Sequence, residues 1–450
     1  MVVFATLLPF IPSLYLFLSV VAASSIVAVL LRAMSDERKQ TTQGVLWCVF
    51  VIANFNYSYQ IDSGRSIATF LGFASFILFA FVTVTSPKQS KRHASVFWAI
   101  IIIVGLTISF AAPYILQGSG AQTLYFVSFV ISMLALLLTR INASRFLLGI
   151  LICLNVWLPY IIFYDVLHPE YGLNNAGLLI SSDQSEYSIA TSVFGLHYRL
   201  GASVLGPESL AVIILVWMVL WRVYTRKDWQ FVIPATFAGL AIIATADRFG
   251  MAAYVICIVL FAIDRRRHTL HTVFRTIMAA TLLLVIFYLL IPNQPGVSLS
   301  SQQLTLSGRV PLWQWAVGQF SDLQWIIGKG VWDPSRPEYI GIPFRASHLH
   351  NAYLGPLWAM GFAGVISVVC VYVCLWRARN DILGIYRSSF LALWAVLFIF
   401  AWSGPVFTMN CPHGFWVLIG AILVMPSSES ENSLLARVLA QPTEHTRAIS

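Results

Sequence analysis

The chain has 450 residues, of which 58% are hydrophobic and only 10% are charged, and its mean hydropathy is +0.79. Because soluble proteins carry about 25% charged residues, this composition excludes an ordinary soluble fold and indicates a polytopic membrane protein. The formal net charge of +9 does not by itself indicate nucleic-acid binding, because basic residues concentrate in the cytoplasmic loops of membrane proteins.

Apolar segments separated by short polar segments recur along the whole chain. About 20 residues span a bilayer as a helix, so we predict an all-α polytopic fold with about 12 transmembrane helices, give or take one, in a single domain over residues 1–426. The polar segment 427–450 is predicted to be a cytoplasmic tail. The candidate spans lie near residues 4–31, 44–58, 66–85, 94–115, 122–139, 146–164, 207–224, 231–247, 249–263, 276–292, 351–376, 388–403 and 413–426.

Lysine and arginine are distributed unequally between the two sides of the predicted membrane. If the short basic loops and the tail share one side, that side holds 20 of the 27 Lys and Arg residues and is predicted to be cytoplasmic. The two long loops, about 165–206 and 292–350, then face outward, which is the periplasm in a Gram-negative cell.

The basic residues left on the outer side are mostly arginines, and arginine can bind phosphate through two parallel hydrogen bonds. Arg199 lies shortly before Pro207, where a span begins, and a helix N-terminus favours anions. Arg309 precedes Trp313 and Trp315, which we expect at the level of the lipid headgroups. For Arg199 the alternative is a structural role in the loop. For the outer arginines in general the alternative is an ordinary interfacial position, from which the side chain reaches the lipid headgroups.

Asp247 and Arg248 lie between two predicted spans, where the chain must reverse direction at the outer surface. Ionisable residues at membrane depth are candidates for function, so Arg248 is a candidate for binding an anion. The alternative is that Asp247 and Arg248 form a local pair that caps a tight helical hairpin.

Two histidines, His348 and His350, stand where the second long polar loop meets an apolar segment. The following residue, Asn351, is suited to capping a helix. The positive end of that helix would keep the His350 imidazole neutral, which a general base requires. The alternative is a loop histidine that only faces water, and His348 either shares the site or is a neighbour.

Four short segments carry these residues in an order and on a side of the membrane that are typical of one family. The segments are Arg199-Leu200-Gly201 with Gly206-Pro207-Glu208, Asp247-Arg248-Phe249-Gly250, Ser307-Gly308-Arg309 with Trp313, and His350-Asn351-Ala352-Tyr353-Leu354 followed by Gly361. On these segments the chain resembles the O-antigen ligase and O-antigen polymerase superfamily of bacterial inner-membrane glycosyltransferases over roughly residues 195–365. The family often has Ser or Thr in place of Asp247 and Asn in place of Glu208, which leaves the roles of these two residues open.

The resemblance implies transfer of a glycan from undecaprenyl pyrophosphate to a sugar hydroxyl of lipid A-core, at the periplasmic face of the inner membrane. It implies His350 as the general base, Arg248 as a catalytic arginine at the pyrophosphate, and Arg199 and Arg309 as further ligands of that group. The other candidate substrate-binding residues are Asn351, His348, Tyr353 and Asp247. A displacement in one step would invert the anomeric centre and would need no nucleotide, metal or other cofactor.

Two other functions remain open at the level of the sequence. A repeat-unit polymerase would use the same donor and differ only in its acceptor, which would be another carrier-linked glycan. A lipid or solute transporter is an alternative from a different class, but transporters place ionisable residues near the middle of the membrane and often contain internal repeats. Here the candidate residues concentrate at one face, and we find no obvious repeat.

Overall fold

The computed structural model is built from helices and contains no strand among the residues that it describes. The all-α prediction is therefore confirmed for this part of the chain. Predicted spans such as 4–31, 94–115 and 122–139 lie outside it. The described residues are 35–53, 75, 78–79, 143–167, 207–225, 228–245, 247–263, 309–330, 349, 351–377, 387–402, 417–418 and 420–422.

Ten helices lie within the described residues, and several of them begin or end close to the predicted boundaries. One of them, the helix at 207–224, has the predicted bounds. In chain order they are α1 Asp36–Ala53, α2 Ala143–Leu167, α3 Pro207–Tyr224, α4 Asp228–Thr245, α5 Arg248–Ala262, α6 Arg309–Gly318, α7 Asp322–Ile327, α8 Leu354–Met360, α9 Phe362–Arg377 and α10 Arg387–Ala401.

Two of the described helices are long and apolar enough to cross a membrane by length and composition, namely the segment Ser144–Phe163 of α2 and the whole of α4. Two shorter apolar helices, α5 and α10, fall below the length of a full span. The described part of the chain therefore supports a membrane protein, but it does not confirm a count of about 12 spans.

Two central helices, α3 and α10, form the core of the bundle. From Leu210 to Leu220 every side chain of α3 is buried, and α10 is buried along almost its whole length. A helix that is hydrophobic on all sides belongs in an interior, where it can contact neighbours all round. The neighbours of α3 here are α2, α4, α5 and α10.

Polar and small residues fix the helices that surround this core. The indole nitrogens of Trp217 and Trp221 on α3 donate to the Asn155 side-chain oxygen on α2, at 2.7 and 3.1 Å. Gly44 on α1 and Gly149 on α2 face each other so closely that a Cβ on Gly149 would lie 2.1 Å from a backbone oxygen of α1. Small residues and interhelical hydrogen bonds are the usual means of joining helices in membranes.

The predicted span 351–376 is not one helix, which corrects the sequence-based boundary. It is divided into α8 and α9 at Gly361, whose φ of 62° is in the left-handed region. A Cβ on this glycine would lie 2.3 Å from the carbonyl oxygen of Ile326 at the end of α7. The break therefore makes room for the close approach of a second backbone, which hydropathy alone does not reveal.

The carbonyl groups that this break releases are bonded by the segment after α7. The amide of Lys329 donates to the carbonyl of Trp358 at 2.6 Å, and that of Gly330 donates to Ala359 at 3.3 Å. Gly328, with a φ of 78°, turns the chain into this position. The amides of Lys329 and Gly330 thus satisfy carbonyl groups at the end of α8 that a helix terminus otherwise leaves unpaired.

Candidate active site

The turn before α8 is organised by Asn351, which is 1% exposed. Its side-chain oxygen Oδ1 accepts hydrogen bonds from the amides of Tyr353 at 2.8 Å and Leu354 at 3.0 Å. Its carbonyl accepts from the amide of Gly355 at 3.1 Å. Asn351 thus bonds the first amides before and in α8, as the sequence-based expectation requires, although the N-cap position itself is held by Tyr353.

The amide nitrogen of the Asn351 side chain, Nδ2, differs from the oxygen in its hydrogen bonding. The Asn351 Nδ2 atom is buried and has no hydrogen-bond partner within the part of the chain that the structure describes. A buried donor without a partner is uncommon, because leaving it unpaired costs about 1–3 kcal/mol. The Asn351 amide therefore holds the turn with its oxygen and keeps a donor beside position 350.

Leu349, on the other side of position 350, is anchored by a different helix. Its carbonyl accepts a hydrogen bond of 2.8 Å from the indole nitrogen of Trp313 on α6. Its side chain is buried in a small apolar cluster, the α6–α8 cluster, formed by Leu312, Ala316, Leu349 and Trp358. The backbone on both sides of position 350 is thus fixed by named contacts.

The environment of Trp313 differs from the sequence-based expectation. We expected this residue at the level of the lipid headgroups, but its side chain is 0% exposed and lies inside the protein. The indole therefore contacts protein rather than lipid, and its nitrogen donates to the carbonyl of Leu349. The depth of Trp313 in the membrane stays a prediction.

The end of α10 forms the third contact with this turn. The amide of Ala352 donates to the carbonyl of Ala401 at 2.8 Å. The ring of Tyr353 lies against Trp402, with a centroid distance of 4.7 Å, and against Tyr372 of α9 at 5.9 Å. The candidate substrate-binding residue Tyr353 is therefore part of an aromatic group at the end of the bundle.

Asp247 and Arg248 begin α5, as expected for a tight reversal between two helices. Asp247 is 3% exposed and is the N-cap residue, and its Oδ2 atom accepts from the amide of Gly250 at 3.0 Å. Arg248 is the first residue of the helix and its side chain is exposed. The capping alternative is thus confirmed for the Asp247 carboxylate, while the Arg248 side chain projects from the helix start.

The start of α5 lies beside the start of α3. A Cβ on Gly250 would lie 2.9 Å from the Cβ of Ala211, so the first turn of α5 touches α3 near its beginning, at its second turn. Pro207 is the first residue of α3 and Glu208 lies in its first turn. An acidic side chain at this position interacts favourably with the positive end of the helix dipole.

The Asn351 turn and Arg248 belong to the same end of the bundle when the predicted orientation is applied. In that orientation α5 begins and α10 ends on the outer side. The thiol of Cys257 on α5 contacts the carbonyl of Ala392 on α10 at 3.8 Å. Cys257 lies nine residues after Arg248, and Ala392 lies nine residues before Ala401. Because α5 and α10 run in opposite directions in this orientation and both rise about 1.5 Å per residue, the contact places Arg248 level with Ala401.

The remaining candidate residues are described to different extents. Arg309 is the first residue of α6, one helical turn before Trp313. The candidates Arg199, His348 and His350 lie outside the described residues, so their positions stay predictions. Among the described residues no group of three His, Cys, Asp or Glu side chains is suited to hold a metal ion.

Lys329, one of the basic residues of the outer loops, has a structural role. Its Nζ atom donates to the carbonyl of Gln319 at 3.0 Å and lies 5.1 Å from the ring centre of Trp358. These contacts join α6, α8 and the segment after α7. Lys329 therefore stabilises the region around the candidate site.

Sequence reasoning did not select Ala401 and Trp402, which the fold brings to the candidate site. They lie about 50 residues after Asn351 in the chain, and their contacts with the turn depend on how α10 packs. The only available signal was a tryptophan at the end of an apolar segment, which occurs at many membrane interfaces.

A comparison with models of protein families gives a match. The model of a family described as O-antigen ligase matches residues 233–369, which include Arg248, Arg309 and the Asn351 turn. A comparison with curated proteins gives no match. The family match supports a membrane-embedded enzyme of glycosyl transfer with an O-antigen-ligase-like function. It confirms over residues 233–369 that the chain resembles the O-antigen ligase and O-antigen polymerase superfamily.

Proposed function

We propose that the protein is an O-antigen ligase of the bacterial inner membrane. In this proposal it transfers a glycan from undecaprenyl pyrophosphate to a sugar hydroxyl of lipid A-core at the periplasmic face. The reaction inverts the anomeric centre and requires neither a nucleotide nor a metal ion. The family match supports the class of reaction, and the donor, acceptor and mechanism are the proposed part.

The observation that carries the proposal is the way the backbone is fixed around position 350. Leu349 is held through its carbonyl by Trp313, and Asn351 caps the turn that leads into α8. The amide of Ala352 is held by the end of α10. Such an arrangement suits a general base, because a base must stay within hydrogen-bond distance of the proton that it removes.

In the proposed reaction the oxygen of the acceptor hydroxyl attacks the anomeric carbon of the donor glycan. The bond between that carbon and the pyrophosphate oxygen breaks as the new glycosidic bond forms. The hydroxyl proton passes to the imidazole of His350, and undecaprenyl pyrophosphate leaves with the electron pair. A positioned general base typically contributes roughly 10²–10⁴-fold to the rate.

The pyrophosphate gains negative charge as it leaves, and the outer arginines are proposed to stabilise that charge. Arg248 is suited to this role because it is exposed at the start of α5, next to the start of α3. Arg309 begins α6, and Arg199 is proposed to act with them. Fixed positive groups at the site of developing charge lower the barrier more than the same groups would in water.

The other candidate residues are proposed to organise the substrates. Asn351 offers its buried Nδ2 donor beside position 350, and Tyr353 provides an aromatic surface to the acceptor sugar. His348 is proposed as a neighbour that contacts substrate. Asp247, expected to bind substrate, is assigned the narrower role of holding the start of α5, because its carboxylate is bonded to Gly250.

The proposal is tested by the lipopolysaccharide of a strain that lacks the protein. A ligase deletion is expected to leave lipid A-core without any attached O-antigen, while carrier-linked chains of normal length accumulate. Re-expression of the wild-type chain should restore attachment. Single repeat units on the core would instead identify a repeat-unit polymerase, and carrier-linked glycan that never reaches the periplasm would identify a transporter.

A further inference from the structure

The short helix α7 exposes three large apolar side chains although it belongs to a predicted outer loop. Leu323, Ile326 and Ile327 are 63%, 64% and 60% exposed. Their spacing of three and four residues puts them on one face of the helix. In water such a surface would be unfavourable, since apolar area gains free energy when it is removed from water.

A second exposed apolar surface starts at the same point. On α9 the side chains of Phe362, Ile366, Val369 and Val373 are exposed and follow one another at intervals of four, three and four residues. This spacing forms a single stripe along the helix. Because α9 lies in a predicted span, the stripe is the side of α9 that faces lipid.

Contacts between α7 and α9 join these two surfaces. The ring of Trp325 stacks on Phe362, the first residue of the stripe, with a centroid distance of 5.7 Å and an interplanar angle of 23°. The carbonyl of Ile326 approaches Gly361 so closely that a Cβ there would lie 2.3 Å from it. The end of α7 therefore packs against the start of α9, which brings the exposed apolar side chains of α7 next to the lipid-facing side of α9.

Charged groups lie at the two ends of the apolar face of α7. Asp322 begins α7, and Lys329 after its end has its Nζ atom on the carbonyl of Gln319 and over the ring of Trp358. A short helix with an apolar face, a tryptophan and flanking charges is the pattern of a segment that lies in a membrane interface.

We propose that α7 lies in the periplasmic leaflet, with Leu323, Ile326 and Ile327 among the acyl chains of the bilayer lipids. The next residues, Gly328 to Gly330, bond the end of α8, so the membrane depth of α7 sets the depth of α8 and of the Asn351 turn. If the proposed function holds, this fixes the site at the level of the carrier pyrophosphate. The placement of α7 itself does not depend on the proposed function.

The test places a nitroxide label on α7 in the full chain reconstituted into phospholipid vesicles. Ile326→Cys and Ile327→Cys carry the label on the apolar face, and Asp322→Cys is the matched control on the same helix. The signal of identically treated wild-type protein, which has six native cysteines, is subtracted. Accessibility is measured with oxygen, which concentrates in lipid, and with a water-soluble nickel complex.

Labels at 326 and 327 are expected to be several-fold more accessible to oxygen than to nickel, with the opposite order at 322. Nickel accessibility at 326 and 327 equal to that at 322 would place α7 in water and overturn the proposal. Low accessibility to both reagents would show that protein covers this face, which would also overturn it. Both outcomes leave the glycan-transfer proposal intact, because the measurement uses no donor or acceptor.

Discussion

Residues 349 and 351 hold the backbone on either side of His350 through contacts with different helices. Leu349 is bonded to Trp313 of α6, while Asn351 caps the turn into α8 with its oxygen and keeps its Nδ2 donor unpaired within the described part of the chain. At this scale the described part of the candidate site is the fixed backbone at residues 349 and 351, and the role of His350 between them is a proposal. The proposed roles of His350 and Arg248 lead to two predictions.

Replacing His350 by alanine is expected to lower the rate of glycan transfer by about 10²-fold or more, because the proposed base is lost. The measurement is product formation by purified protein from carrier-linked glycan and lipid A-core. Membrane insertion and the melting temperature in detergent should stay at wild-type values, because the flanking backbone is held by Trp313 and Asn351. His348→Ala removes only a proposed substrate contact, so it should lower the rate much less than His350→Ala. A wild-type rate for His350→Ala would show that His350 is not the base.

Replacing Arg248 by lysine is expected to reduce transfer by about tenfold, because lysine keeps the charge but loses the planar fork that binds phosphate through two hydrogen bonds. The expected kinetic effect is on kcat more than on KM, since the charge grows in the transition state. The control is Arg222→Lys at the other end of α3, where the Arg222 guanidinium bonds Asp228 of α4 at 2.9 Å. Equal activity of the two variants would assign Arg248 a structural role.

Among the helices, α6 and α8 determine the geometry of the candidate site. They are joined by the α6–α8 cluster and by the stacking of Trp315 on Trp358 at 6.0 Å. At the other end of α8, Gly361 ends the helix and allows α7 to approach. Interruption of the apolar segment at Gly361 is therefore part of how the site is built.

Replacing Trp313 by phenylalanine is expected to slow transfer by about 10-fold to 100-fold, because the Leu349 carbonyl loses its donor and position 350 is displaced. A positioning role predicts a lower kcat with an unchanged KM for the donor. The control is Trp325→Phe, which keeps an aromatic ring on Phe362 and does not touch the histidine segment. If both variants lose activity equally, and in step with their melting temperatures, Trp313 contributes only to stability.

Three glycine substitutions separate the two reasons for the break in the predicted span. Gly361→Ala combines a left-handed φ with a backbone clash, Gly330→Ala has a φ of 86° but nothing within 4 Å of the new Cβ, and Gly318→Ala has neither problem. A left-handed conformation costs an alanine about 1–2 kcal/mol, so the melting temperature should fall most for Gly361→Ala and least for Gly318→Ala. Equal melting temperatures for Gly361→Ala and Gly318→Ala would mean that the break is not required.

For the whole molecule, the proposed function depends on the candidate residues lying at one face of the bundle. The start of α3, the start of α5, the end of α10 and the Asn351 turn meet at the face that the charge distribution predicts to be periplasmic. The family match covers the start of α5 and the Asn351 turn, while α3 and α10 lie outside the matched residues. A lipid-linked donor can reach such a face without leaving the membrane.

At this scale we predict that transfer continues without nucleotide and in excess chelator. The physical reason is that pyrophosphate is already a good leaving group and the arginines are proposed to stabilise its charge. Product formation by the reconstituted chain is compared with and without EDTA, after removal of nucleotides. Activity that falls to background in EDTA and returns with Mg²⁺ would contradict the proposed mechanism.

The amino-acid sequence was sufficient for the features that depend on local pattern. Long apolar segments predicted helices near their observed positions, because a backbone in a membrane must satisfy its hydrogen bonds within each segment. Pro207 at a helix start, Asn351 as a cap and the reversal at Asp247 followed from the preferences of these residue types. The family resemblance also followed from short motifs in order.

The tertiary structure alone decided the features that join distant segments. The bond from Trp313 to Leu349, the contact of Ala352 with Ala401 and the tilted ring contact of Tyr353 with Trp402 connect residues 36 to 49 positions apart. The break at Gly361 likewise depends on Ile326, which approaches from another helix. Sequence pattern determines which face of a helix is apolar and where it ends, but only packing determines which backbone comes close enough to hold the residues around His350.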